Sequence, residues 1–200
     1  YQGYRVGVMC LMLNFGITLA AMYVLPQFYQ NAMLIAVAAA GVLMLPGGLI
    51  NAAVSVAAGT LFDRFGARGP VSIGFACSAL ASAMLMIATP ETPIWYMVAC
   101  HIIMMIGVPL AMSPCQTHAL ASLPPQLNSD GSTIMNTLQQ VLGAICTAVA
   151  TCLLATGQNT YFAAGGTDSA LAFTEGSHIG FAFTLIMAVF GFFLAFRINL

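Results

Sequence analysis

Two hundred residues carrying four basic and five acidic side chains cannot cover the surface of a soluble domain, where about 25% of residues are charged. The chain is 60% hydrophobic with a mean hydropathy of +0.96, so it is expected inside a bilayer. A net charge of −1 gives no reason to expect a nucleic-acid partner.

A hydrocarbon core of about 30 Å needs roughly 20 apolar residues in a helix. Six stretches supply them, at about 4–26, 34–62, 71–89, 93–117, 131–157 and 178–197. All are expected as helices, because open backbone cannot face lipid. The fold class is therefore an all-α polytopic membrane protein, a single six-helix bundle over residues 1–200 that reads as a piece of a longer protein. Cys10, Cys77, Cys100, Cys115, Cys146 and Cys152 fall in or at the ends of the apolar runs and read as free thiols packing as small hydrophobes.

The first stretch holds Asn14 near its centre. The second carries Pro46-Gly47-Gly48 near its middle, which favours a kink serving either packing or a hinge. Asn51 and Ser55 follow, four residues apart and so on one helical face. That stretch leads into the segment from Gly59 to Arg68, a short charged turn between apolar walls.

The fourth stretch contains His101, the ionisable side chain placed clearly inside a span. Such a group is a functional candidate, the alternative being a neutral imidazole bonded to a neighbouring helix. Met97, His101, Met104, Val108 and Met112 share one face. Flexible methionine surfaces suit varied apolar ligands, and plain packing is the alternative. Pro109 and Pro114 break the inner end of this stretch. An inner connection is expected over 118–130, with Pro124-Pro125 stopping one helix and Asp130-Gly131-Ser132 starting the next. The fifth stretch carries Asn136, Gln140, Gly143, Thr147 and Thr151 on one face, flanked by Gln139, a pattern for close helix–helix contact and bonding across it. Residues 158–177 are expected to form a long outer loop.

Arg5, Arg64, Arg68 and Arg197 all fall on one side of this arrangement, and Glu91, Asp168 and Glu175 on the other. Cytoplasmic loops carry the positive charge, so both ends are expected in the cytoplasm of a plasma-membrane protein, with Trp95 and Tyr96 at the outer interface. Cys115 and His118 alone do not make a four-ligand metal site, and neither a nucleophile elbow nor a nucleotide loop occurs. No catalysis, metal or cofactor is expected.

The pattern Gly59-x-x-x-Asp63-Arg64-x-Gly66-x-Arg68 resembles the loop signature of the major facilitator superfamily, between the second and third helices of a six-helix half. Leu45-Pro46-Gly47-Gly48, Pro114 with Leu123-Pro124-Pro125, and Gly131-Ser132 with Asn136-Thr137-Leu138-Gln139-Gln140 and Gly143-Ala144 are similar to the fourteen-span drug:proton antiporter branch. The resemblance implies the C-terminal half of such a transporter, with the N-terminal half as its missing partner. The first and fourth helices would line a cavity binding an amphipathic small molecule, which places Asn14, Met97, His101, Met104 and Met112 as substrate contacts. The second and fifth would face the other half, with Asn51, Asn136, Gln140, Gly143 and Thr147 as interface residues. Gly59, Asp63, Arg64, Gly66 and Arg68 would form a cytoplasmic gate, with Asp63 reaching a helix N-terminus of the other half. Protons would be the coupling ion and His101 the local candidate to carry them. A transporter of a dedicated metabolite or nutrient and a non-transporting membrane scaffold or sensor are the rival readings.

Overall fold

The computed structural model describes residues 1–198. It is built from α1 (Gln2–Asn31), α2 (Val37–Phe65), α3 (Arg68–Leu85), α4 (Ile94–Ala121), α5 (Asn128–Ala163) and α6 (Ser169–Ala195), with a 3₁₀ turn at Pro125–Leu127 ahead of α5. Among the described residues, 5 helices are long and apolar enough to cross a bilayer. The remaining one, α3, has 18 residues and spends its first turn on Arg68-Gly69-Pro70. At 1.5 Å per residue it still reaches about 27 Å.

Two connections are much shorter than the sequence suggests. In place of a loop over 118–130, α4 runs on to Ala121 and α5 starts at Asn128. Pro124 and Pro125 occupy the break, and Asp130 stands in the first turn of α5, where its charge suits the helix dipole. In place of a loop over 158–177, α5 continues to Ala163 and α6 opens at Ser169. Asp168 caps α6 by accepting from Ala170 N at 2.7 Å and Leu171 N at 3.2 Å. The helices extend because their backbones touch: a Cβ on Gly157 would stand 2.5 Å from Gly176 Cα, so both sites must be small. Glu175, expected in the loop, is therefore an exposed residue of α6.

α1 and α4 form the centre of the bundle. α1 packs on α4, α5 and α6, α4 packs on α1, α2 and α3, and α3 packs on α6. Exchanging α1–α3 with α4–α6 maps this pattern onto itself, the arrangement of a three-plus-three repeat. One pair departs from it: α5 lies closely along α6, whereas α2 meets α3 only lightly. α2 is thus held chiefly by α4, and only Ala40, Gly47 and Ala58 along it are buried.

The charge separation read from the sequence is present in space. Arg68 lies 5.0 Å over the Phe196 ring, and the Tyr4 hydroxyl donates to Gly131 O at 2.7 Å, which gathers the arginine-bearing helix ends together. Glu91 and Asp168 line a shared hollow at the opposite end. The exposed Trp95 is there too, and Tyr96 donates from its hydroxyl to Met84 O at 3.0 Å.

Candidate functional site

The charged turn is tighter than its ten-residue pattern implies. Residues 59–65 are the last two turns of α2, and only Gly66 and Ala67 separate it from α3. Gly66 adopts φ 70° and ψ −174°, a backbone region open essentially to glycine alone. Asp63 and Arg64 both stand exposed in the final turn of α2, about 100° apart around the helix axis. Asp63 falls on the side of Gly59, whereas Arg64 falls on the side of Thr60 and Leu61. Arg64 also suits the negative end of its own helix dipole. A Cβ on Gly59 would meet nothing within 4 Å.

The second group of polar residues joins three helices at mid-bundle. Asn14 of α1 is fully buried and donates from Nδ2 to Val108 O of α4 at 3.0 Å. Asn51 of α2 donates from Nδ2 to Met105 O of α4 at 3.2 Å. Proline has no N–H for the carbonyl four residues before it, so Pro109 leaves Met105 O without its helical donor. Asn51 supplies one. The His101 ring lies against Gly47, where an added Cβ would collide with Nδ1 and Cε1. Among the described residues neither His101 ring nitrogen nor Asn14 Oδ1 has a hydrogen-bond partner, although all three atoms are buried.

These positions correct the expected lining. Asn14, Met97, His101 and Met104 turn into the half, with Met97 and Met104 in the same core cluster as Phe28, Tyr29 and Phe181. Met112 is half-buried against the second cluster. α4 is enclosed by α1, α2 and α3, so its methionine face is core. The face it leaves partly open carries Ile102, Ile106, Ser113 and Thr117, with the Thr117 hydroxyl donating to Ser113 O at 3.1 Å. On α1 the partly open residues include Met12, Phe15, Leu19, Met22 and Tyr23. Ser113 and Thr117, four residues apart in an apolar helix, were the available sequence signal for that open face.

A family model described as Major Facilitator Superfamily matches residues 4–148. The chain belongs to the major facilitator superfamily. It is 37% identical over 195 residues to the lincomycin resistance protein LmrB of Listeria monocytogenes, covering 96% of this chain and 41% of that protein. It is 34% identical over 201 residues to the lincomycin resistance protein LmrB of Bacillus subtilis, covering 98% of this chain and 42% of that protein. The riboflavin transporter RibZ of Clostridioides difficile is 24% identical over 130 residues, covering 65% of this chain and 28% of that protein. The chain thus spans about two fifths of the lincomycin resistance proteins it matches.

As a major facilitator chain it presents two faces rich in small and polar residues. On α2 these are Gly41, Gly48, Ala52, Ser55 and Gly59, one helical face on which a Cβ at any of the glycines would meet nothing within 4 Å. On α5, the repeat mate of α2, Asn136, Gln140 and Thr151 are exposed and Thr147 is half-buried. The interface residues expected from sequence therefore divide. Asn51 faces α4. Gly143 is buried inside the half, where a Cβ would stand 2.8 Å from Phe15 Cε1 of α1. The α5 hydroxyls bond along their helix, Thr147 to Gly143 O at 2.9 Å and Thr151 to Thr147 O at 2.8 Å, and not across to another. Asn136 and Gln140 remain on the open side.

Proposed function

We propose that this chain is the C-terminal six-helix half of an exporter that moves amphipathic drugs of the lincomycin kind by alternating access, driven by protons. The observation that carries this reading is the pair of open, small and polar faces on α2 and α5. Polar helix faces are costly against lipid, and small residues let a second bundle approach closely. A second half docked there would enclose the open side of α1 and α4. The likeness to two lincomycin resistance proteins over nearly the whole chain supports drug export as the activity.

In this reading the arginine end is cytoplasmic, since positive residues mark that side. Asp63, on the side of Gly59, meets a helix N-terminus of the other half and closes the inner gate. Substrate contacts come from Ile102, Ile106, Ser113 and Thr117 of α4, Met112 beside them, and the open residues of α1. Asn14 and Asn51 hold α1 and α2 to α4, and Met97 and Met104 fill the core behind them. His101 is the candidate proton carrier of this half: it is buried without a hydrogen-bond partner among the described residues, against the glycine that follows Pro46.

The test is lincomycin transport into inverted membrane vesicles holding the full-length protein. Accumulation is expected with a proton gradient and is lost on its collapse by an uncoupler. Gradient-independent accumulation would remove the coupling. Transport of riboflavin with lincomycin ignored would favour the dedicated-substrate reading, which the likeness to RibZ supports.

A further inference from the structure

The light contact between α2 and α3 leaves a groove of about 460 Å³ at the arginine end. Leu61 and Phe65 of α2, Gly69, Pro70 and Ile73 of α3, and Leu110 of α4 line it, all apolar. The volume lies within the roughly 300–1,000 Å³ of small-ligand pockets. At 3.6 residues per turn Leu61 lies about 140° round α2 from Gly48, so the groove opens away from the small-residue face and toward lipid. Phe65 and Ile73 at its rim are 63% and 56% exposed.

The groove has a charged mouth. Arg64 lines an adjoining hollow with Thr60, Leu61 and Phe65, so two groove residues are shared with the arginine. Asp63, its acidic neighbour in sequence, lies about 160° round the helix from the groove-lining Leu61. α3 begins here without a side-chain cap, which leaves the Arg68 and Gly69 amides without a capping side chain, while Pro70 has no N–H to offer. Arg68 is turned onto Phe196, whereas Arg64 shares Leu61 and Phe65 with the groove.

We propose that this groove binds an anionic phospholipid, with an acyl chain between α2 and α3 and the phosphate at Arg64 and the start of α3. An apolar slot open to the bilayer and headed by a cation matches an amphiphile of opposite charge. The symmetry-related pair, α5 and α6, is closely packed where Gly157 meets Gly176, in contrast to the light contact of α2 with α3.

The experiment is native mass spectrometry of the full-length transporter titrated with palmitoyl-oleoyl phosphatidylglycerol or the matching phosphatidylcholine. Arg64→Gln is expected to lower phosphatidylglycerol retention about fivefold, the effect of one arginine near a lipid headgroup, and to leave phosphatidylcholine unchanged. Gly69→Leu fills the groove, since a Cβ at Gly69 meets nothing within 4 Å, and is expected to lower retention of both lipids. Arg5→Gln, at the same end on α1, is expected to change neither. Arg64→Gln alters an exposed residue and keeps the test readable if Gly69→Leu fails to assemble. Unchanged phosphatidylglycerol retention in Arg64→Gln overturns the proposal. So does an equal loss in Arg5→Gln, or lipid retention by Gly69→Leu at wild-type level, as a drug-filled or empty groove would give.

Discussion

Asn51 of α2 completes the hydrogen bonding of Met105 on α4: its Nδ2 lies 3.2 Å from the carbonyl that Pro109 deprives of a donor. A break in one helix thus becomes the attachment point of another. This matters because α2 is held chiefly by α4, and its fully buried residues are the small Ala40, Gly47 and Ala58.

Removing that side chain exposes the bargain between the two residues. Asn51→Ala should destabilise the full-length protein by roughly 1–2 kcal/mol, read as a lowered melting temperature in detergent. Pro109→Ala restores an N–H to Met105 O, so the double variant should recover most of the loss. Additive effects of the two substitutions would separate the residues.

The contact between Gly47 and His101 predicts a size limit. Gly47→Ala should lower expression or melting temperature, because the new methyl falls on the imidazole. Adding His101→Ala should relieve it. If Gly47→Ala is neutral by itself, the close packing of α2 on α4 at this level is not required.

Proton coupling can be tested separately from packing. His101→Asn keeps a polar group of similar reach and removes the imidazole as a proton acceptor. Proton-driven lincomycin uptake by vesicles should fall while counterflow exchange of the drug persists. Normal uphill transport would release His101 from coupling.

The turn makes two distinct predictions. Gly66→Ala forces a side chain into a conformation costing about 1–3 kcal/mol and should lower stability. Asp63→Asn touches no buried contact, so expression and insertion should hold while transport falls, as closure loses up to about 2 kcal/mol of charge–dipole attraction. Wild-type transport by Asp63→Asn would reduce the motif to a turn.

Composition and hydrophobic length by themselves determined that this is a membrane bundle of six helices and which end gathers arginine, because bilayer thickness and the cost of burying charge act on each segment separately. The short motif around Asp63 determined the family. What the sequence leaves open is direction. α4 is apolar nearly all round, since three helices enclose it, and such a helix carries no pattern that tells its core face from its open one. The stripe through Met97, His101 and Met104 was legible as a stripe, and only the packing of α1, α2 and α3 turned it inward. Likewise Pro109 announced a free carbonyl, but a partner 54 residues away in Asn51 is decided by how two helices cross. The loop over 158–177 became helix for the same reason: Gly157 and Gly176 disfavour helix locally, and the backbone contact they permit exists only in the folded bundle.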